Sequence, residues 1–436
     1  MQLGEPRRAS SLRGRLTQAV CVVLAAQAGA AGASSAADVT GTASGSGTGD
    51  EAPKWQFDAA GLVYGEAGRA KVVEPNARIT RLFANGARLS GTLGLDLVTG
   101  ASPTGGIAST EIHTTTSASG RVKTDAVGIV PTNQFQDHRG SLDLEWTQPY
   151  TRWLTTSFGS HVSREKDYRS LGGSGKVSFS LMRGLLTFNV GGGYDSDEVE
   201  PTGGVRVPLS DGTLLEDGAV RAKHSRTALI GLSRVLSRRW MVGVDVTRME
   251  EDGYLTEPYK VVSVVDPETG DPVSELTESR PSTRLRHDLL ASSVYHFDTD
   301  ILYASQRFYW DDWGIVSTTT DLKYRKDLYD DRYIEPHIRF YAQSKADFFH
   351  YSLVQNEDLP RYASADGRLG TLRTATLGAT YGFRLPDRPG EWAVRAEYMS
   401  QWGSGHPTDA IGNQQNVDLA PPVSIGSVVV AYSLRF

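Results

Sequence analysis

The sequence predicts an all-β fold: a transmembrane, antiparallel, up-and-down β-barrel of about 16 strands, or 12–16 if weak segments merge. From Trp55 onward, segments of about ten residues alternate apolar and polar positions between turn residues. The chain ends on such a segment, Val423–Phe436. After the N-terminus no apolar stretch has the roughly 18 residues that argue for a membrane-spanning helix, which excludes a helical membrane protein.

Residues 1–37 have the composition of a secretory signal peptide. A basic stretch with four arginines precedes an apolar run over residues 19–32, and small residues suited to cleavage follow. Residues 38–54 are rich in Gly, Ser and Thr and have no apolar periodicity. We therefore expect a signal peptide (1–37), a flexible lead-in (38–54) and a barrel (55–436).

Cysteine content and charge exclude several classes of function. The single cysteine, Cys21, lies in the predicted signal peptide, so the mature chain would have no disulfide, thiol nucleophile, zinc–thiolate site or c-type haem attachment. The formal net charge is −6, which makes the chain a poor candidate for binding nucleic acid. We predict no cofactor, no metal site and no enzymatic activity.

Sixteen segments of residues 55–436 have the alternation expected of strands. They are 55–66, 71–83, 87–99, 136–147, 152–163, 171–181, 185–194, 220–235, 240–250, 284–296, 301–310, 315–327, 333–343, 369–383, 391–402 and 423–436.

The connections between these segments differ in length in a regular way. Those after even-numbered segments are tight, whereas most of the others are long, notably 100–135, 195–219, 251–283, 344–368 and 403–422. This asymmetry is typical of outer-membrane barrels, which have short periplasmic turns and long outer loops. The even count places both termini on the periplasmic side. The 100–135 loop is the candidate constriction.

Alternation also assigns the two faces of each strand. In residues 333–341, Ile334, Ile338 and Phe340 oppose Glu335, His337 and Arg339. A soluble β-sandwich would alternate as well, but its apolar faces must meet in a core. The density of charge on the polar face favours a solvated lumen, and Trp and Tyr near the strand ends are typical of membrane-interface girdles.

The polar faces supply candidate lumen or eyelet residues. These are Asp143, Glu145, Arg284, Arg286, Asp288, Arg307, Asp321, Lys323, Arg325, Glu335, His337, Arg339, Arg395 and Glu397. On one interpretation, opposite charges on adjacent strands pair and brace the wall. On the other, a basic ladder on strands ten to thirteen faces acids such as Asp143 and Glu145 across a polarised eyelet. The mixed signs predict no clear ion preference.

Other polar groups invite comparison with known sites. Asp195, Asp197, Glu198 and Glu200 fall in a predicted outer loop, but the calcium-loop pattern is missing, which favours a solvated acidic loop. Asp311 and Asp312 do not make a catalytic pair: adjacent strand residues point to opposite faces, so these acids are more simply turn formers. The DLVTGASP stretch from Asp96 is expected to anchor a loop through its aspartate.

The final residues, with Tyr432, Leu434 and Phe436 at alternating positions, resemble the C-terminal recognition signal of outer-membrane barrels. Such a terminus is an exposed strand edge with which the barrel-assembly machinery can pair. We therefore expect that machinery and outer-membrane lipid as partners, together with small solutes if the lumen is open.

Several blocks resemble a predicted outer-membrane β-barrel family known as domain of unknown function 3570. They are Asp96–Pro103, Ser163–Tyr168, Gly253–Lys260, Arg280–Arg286, Arg307–Trp313, Arg339–Phe349 and Asp366–Gly370. With the spacing between them, these blocks cover most of residues 55–436. The resemblance implies the barrel architecture and brings no known ligand or chemistry.

The first functional expectation is a porin-like channel or transport component in the outer membrane of a Gram-negative bacterium. The alternative is a non-conducting scaffold or adhesion protein, or a partner of an envelope redox or transport system. A hydrolase with a site at the rim comes third. Solute, oligomeric state and lumen opening are left undetermined by the sequence.

Overall fold

The computed structural model describes residues 54–108, 113–116, 122–125, 130–216, 218–329, 331–386, 388–408 and 410–436. The predicted signal peptide, the lead-in up to residue 53, and residues 109–112, 117–121 and 126–129 of the predicted constriction lie outside the described residues.

Sixteen strands of the described chain form one closed barrel, each paired antiparallel with its neighbours in sequence, and the last pairs with the first. This confirms the predicted fold class. The barrel strands are β1 Trp55–Glu66, β2 Lys71–Leu82, β3 Arg88–Pro103, β4 Thr132–Pro149, β5 Leu154–Arg164, β6 Tyr168–Leu181, β7 Leu186–Val199, β8 Arg221–Val235, β9 Trp240–Gly253, β10 Thr283–His296, β11 Ile301–Asp311, β12 Val316–Asp327, β13 Tyr333–Gln343, β14 Leu372–Phe383, β15 Glu391–Gly403 and β16 Val423–Arg435.

The alternation between faces has the expected consequence in three dimensions. On β14, Leu377 points outward and is 64% exposed, whereas the inward His337 on β13 is 4% exposed. Side chains diverge on the convex side of a closed sheet and converge on its concave side, which explains the difference. The outer surface is therefore an apolar band and the inner surface a polar wall.

Several strands extend further at the outer end than the alternation predicts. β3 continues to Pro103, so the DLVTGASP stretch is strand rather than a loop anchor, and Asp96 lies 3.8 Å from Arg139 on β4. β7 continues to Val199, so Asp195, Asp197 and Glu198 are strand residues and not part of an outer loop. The apolar pattern ends earlier than the hydrogen-bonded ladder because strand above the lipid needs no apolar outer face.

The connections alternate in length as predicted. At one end of the barrel, short turns such as 83–87 and 236–239 join the strands, and both described termini lie there. At the other end, three connections are short (67–70, 165–167 and 312–315). The remaining five are 104–131, 200–220, 254–282, 344–371 and 404–422. These long connections carry the short strands outside the barrel and two of the three 3₁₀ helices of the described residues.

One small sheet stands out among the elements outside the barrel. Val261–Val265 pairs antiparallel with Pro272–Thr277 and parallel with Ser352–Val354. Two hairpins accompany it, Val205–Arg206 with Leu214–Glu216 and His113–Thr116 with Val122–Asp125. Short 3₁₀ helices occupy Met182–Gly184, Gly367–Leu369 and Gly412–Asn416.

None of the helices in the described ranges is long and apolar enough to cross a membrane.

Candidate functional site

The long outer connections join into one folded body, which we call the cap. It consists of 254–282 and 344–371, with the described parts of 104–131, 200–220 and 404–422 packed against them. Its centre is Val261–Val265, whose Val262 and Val265 are fully buried. The 344–371 connection adds the parallel strand beside it, so two separate connections share one sheet.

The other three long connections bind to the 254–282 segment by hydrogen bonds. The amide of Ile107 donates to Ser263 Oγ at 3.0 Å. The amide of Leu209 donates to the Thr277 carbonyl at 3.0 Å, and the amide of Asn413 donates to the Thr269 carbonyl at 2.7 Å. The described beginning of the predicted constriction loop is therefore part of the cap.

The positions of these connections around the barrel place the cap across the outer mouth. Six strands separate the 104–131 connection from 254–282, and six more separate 254–282 from 404–422. Strands spaced about 4.8 Å apart and tilted by about 40° give a sixteen-strand barrel roughly 30 Å wide. Connections that leave the rim so far apart can form hydrogen bonds with one another only if they extend across the opening.

Two apolar clusters pack the cap. One contains Val262, Val264, Leu353 and Ala363. The other surrounds Trp313 and Phe348, whose rings meet edge to face with centroids 5.1 Å apart. Such clusters exclude water from the backbone of the connections they join, so the long connections have small cores of their own.

Buried charges join the two main connections of the cap. Arg280 lies 2.6 Å from Glu278 and 2.9 Å from Asp366. Asp366 also accepts from Arg368 at 2.6 Å, and Arg368 lies 3.2 Å from Glu257. Burial raises the pKa of Glu278, whereas Arg368 and Arg280 overcome the effect of burial and hold the pKa of Asp366 well below its usual range.

Lys260 occupies a different environment in the same cap. It is 8% exposed, and its ammonium donates to Ser102 Oγ at 3.0 Å and to the Pro103 carbonyl. Both acceptors are neutral oxygen atoms, and burial lowers the pKa of Lys260. This contact ties the cap to the outer end of β3 without an ion pair.

The fourteen candidate lumen residues all lie on the inner face of the barrel, and most of them pair with neighbours on the wall. Asp143 lies 2.6 Å from His161, and Glu145 lies 3.3 Å from Arg78. The further pairs are Arg284–Asp311, Arg286–Glu251, Arg307–Asp288, Asp321–His337, Asp321–Arg339, Arg325–Asp327, Glu397–His337 and Glu397–Arg395. Lys323 is opposite His337 in the register, and Glu335 is buried nearby. Six of these ten pairs join adjacent strands of the wall.

His337 links two carboxylates over four strands of the wall. Its Nε2 lies 2.8 Å from Asp321 on β12, and its Nδ1 lies 2.7 Å from Glu397 on β15. The strand between His337 and Glu397, β14, places Gly378 in register with both. Glycine is needed there because a β-carbon would lie 2.5 Å from Glu397 Cγ and 2.9 Å from the Ala396 carbonyl oxygen.

We expect Gly378→Ala to lower the free energy of unfolding by about 1–3 kcal/mol, since the added methyl group overpacks the wall and displaces Glu397 from His337. Urea unfolding in lipid vesicles measures the change. Gly426→Ala is the matched control, because a β-carbon there has no atom within 4 Å. Equal effects of the two substitutions would contradict the packing argument.

Three carboxylates that the sequence did not single out lie close together at the outer end. Asp137, Glu165 and Asp167 offer oxygen atoms within 4.8 Å of one another. Burial and the charge of Asp137 raise the pKa of Glu165 to about 7. Hard oxygen ligands of this kind could hold a cation. Asp137 is distant in sequence from the other two, so only the pairing of β4 with β5 brings them together.

Asp311 and Asp312 have structural partners at the turn after β11. Asp311 accepts from Arg284 at 2.6 Å and from the amides of Trp313 and Ile315 at 3.1 and 2.9 Å. Asp312 accepts from the amide of Leu285 at 2.9 Å. The two carboxylates hold separate parts of the rim, which favours the turn-former interpretation.

Comparison with known proteins gives one family match. The model of a family described as protein of unknown function DUF3570 matches residues 14–434. No curated protein matches the sequence.

Three of the solved structures that match align at low sequence identity. The siderophore receptor PirA from Pseudomonas aeruginosa aligns with a TM-score of 0.38 and 8% identity over 81% of this chain, which spans 57% of the receptor. A bacterial polysaccharide outer membrane secretin aligns with a TM-score of 0.44 and 10% sequence identity, over 89% of this chain and 100% of the secretin. The outer membrane protein opdK from Pseudomonas aeruginosa aligns with a TM-score of 0.41 and 8% sequence identity, over 88% of this chain and 98% of opdK.

Proposed function

Since this chain belongs to the DUF3570 family of proteins of unknown function, we propose from its own geometry that it is an outer-membrane channel for small solutes, with a cap that limits access from outside. The observation that carries this proposal is the set of hydrogen bonds between connections rooted far apart on the rim, such as Ile107 to Ser263 and Asn413 to Thr269.

The outer surface supports a location in a membrane. Apolar side chains such as Leu93, Phe158 and Leu377 are 62%, 58% and 64% exposed on the convex face. A continuous apolar band of this kind is stable against lipid and unfavourable in water. Short turns at one end and a folded cap at the other support the orientation with the cap outside.

The width of the barrel supports a solvated lumen. Side chains fill a barrel of about eight strands, whereas barrels of sixteen to eighteen strands leave an aqueous channel unless chain segments fill it. Within the described residues, the cap hydrogen-bonds to the wall at the outer strand ends, as at Ser102, Pro103 and Gln343. The paired charges below are suited to contact with water.

Conductance in planar lipid bilayers tests the proposal. We expect small current steps from the intact protein and steps several times larger from a variant in which residues 256–280 are replaced by a short Gly-Ser linker. Such a linker is sufficient because β9 and β10 are hydrogen-bonded neighbours. A variant altered only in the turn at 236–239, at the opposite end, serves as the control and should conduct like the intact protein.

The second candidate is a non-conducting scaffold or adhesion protein, or a partner of an envelope redox or transport system. One observation favours this second candidate. The buried clusters around Val262 and Trp313 give the cap a defined shape, which suits the binding of a partner. Silence in bilayers from both the intact and the linker variant, with capture of an envelope partner, would replace the channel proposal with this one. We propose no catalytic role for Asp311 or Asp312.

A further inference from the structure

The covalent attachment of the 254–282 segment to the barrel is one short stretch of the rim, and its contacts with other strand ends, such as Lys260 with Ser102, are noncovalent. Its two ends follow β9 and precede β10, and the last pair of that ladder is Asp252 with Thr283. Gly253 leads into the segment at φ +113°, where a β-carbon would lie 2.2 Å from the Ala222 carbonyl oxygen. A segment attached on one side that reaches across an opening has the geometry of a hinged lid.

The contacts that hold this segment over the mouth are separate from the contacts that hold the barrel. The lid meets 344–371 through the parallel pairing of Val261–Val265 with Ser352–Val354 and the apolar cluster around Val262. It also meets that connection through the Ser279–Ala363 pair of hydrogen bonds, at 2.9 and 3.0 Å, and through the Arg280–Asp366 ion pair. The wall ladder ends below these contacts at Thr283. Movement of the lid would therefore leave the hydrogen bonds of the wall intact.

Among the contacts that hold the lid, the buried ion pair is the one that the loss of a single side chain makes unfavourable. A buried ion pair offsets most of its own desolvation, so it adds little stability over apolar groups, yet loss of one partner leaves an uncompensated buried charge. The Arg280 guanidinium contacts both Glu278 and Asp366 and so compensates two carboxylates at once. Lys260 also holds the closed position, because its ammonium donates to two neutral oxygen atoms at the outer end of β3.

We propose that residues 254–282 form a hinged lid that opens and closes the outer mouth, with Arg280 between Glu278 and Asp366 as its latch. This inference rests on the proposed channel function and adds a conformational change to it. In the closed state the latch is intact and the mouth is crossed by the lid. In the open state Arg280 leaves Asp366, and Lys260 gains access to water.

A reversible disulfide tests the lid. Ser279 and Ala363 exchange both backbone hydrogen bonds, an arrangement that places α-carbons about 5.5 Å apart, within the range that a disulfide spans. The variant is Ser279→Cys with Ala363→Cys in a Cys21→Ser background. We expect the oxidised protein to remain at its smallest conductance, and reduction with dithiothreitol to restore openings. Single-cysteine variants control for reduction itself.

Breaking the latch should have the opposite effect. Arg280→Met keeps an unbranched apolar side chain and removes the guanidinium charge. We expect the open probability to rise at least tenfold, with Arg280→Lys closer to the native protein. Arg239→Met removes an exposed arginine paired with Asp298 at the far end of the barrel and should change nothing. Heat-modifiable migration in gels checks that each barrel is folded.

The outcomes separate the two proposals. Conductance that is equal in oxidised, reduced and Arg280→Met protein would overturn the lid and leave the channel in place. Absence of conductance in all three and in the linker variant of residues 256–280 would overturn the channel and the lid together.

Discussion

Arginine in place of Leu93 should lower the free energy of unfolding by about 2–4 kcal/mol in a lipid bilayer, a factor of roughly 30 to 1,000 in the folded-to-unfolded ratio. Leu93 is in the interior of β3, points outward and is 62% exposed. On a membrane barrel that exposure is to hydrocarbon, where a guanidinium loses its hydration. Urea titration of the protein folded into vesicles measures the loss.

The adjacent residue is the matched control. Thr92 precedes Leu93 on the same strand and points to the inner wall, where it is opposite Arg78 and Asp143 in the register. Thr92→Arg adds the same side chain on the lumen side and should change stability by less than about 1 kcal/mol. A larger loss at Thr92 than at Leu93 would mean that the two faces of the barrel have been assigned the wrong way round.

Substitution of Tyr432 and Phe436, the two aromatic residues at the chain end, should remove most of the folded protein from the membrane of living cells. Phe436 and Trp55 exchange backbone hydrogen bonds at 2.8 and 3.0 Å, which a side-chain substitution retains. The side chains of Tyr432 and Phe436 are both on the outer face. The Tyr432 ring packs on Trp392 with centroids 4.7 Å apart. Tyr432→Ala with Phe436→Ala removes this ring contact and the hydrogen bond from Tyr432 to the Pro389 carbonyl, but no hydrogen bond between strands. A large effect in cells therefore reports recognition during assembly.

Two measurements distinguish recognition from stability. The double variant should refold from urea into vesicles with a yield close to that of the native protein, while its folded fraction in cell membranes falls several-fold. Val428→Ala, an outward substitution on the same strand, should leave both quantities unchanged. A parallel loss in vesicles would assign the two aromatic residues to barrel closure and not to the predicted assembly signal.

The barrel follows from local features of the sequence, and so it could be predicted. Alternation such as Ile334, Glu335, Pro336, His337 records which face of a strand meets lipid, and it repeats in every strand. Errors occur where this requirement ends: β3 continues to Pro103 and β7 to Val199, beyond the last residues that the alternation predicts. The contact of His337 with Glu397 could not be predicted from alternation alone, because it also depends on the strand register and on the space left by Gly378.

By itself, the sequence determined the all-β class, the sixteen strands, their two faces and the end at which the long connections lie. Only the tertiary structure decided that those connections form a cap, that Arg280 joins Glu278 to Asp366, and that Asp137, Glu165 and Asp167 come together. The physical reason is distance along the chain: Ile107 bonds to a residue 156 positions away, and no local period of the sequence records such a contact. Periodicity reports the solvent on each face of a strand, whereas the cap depends on which connections meet across the mouth.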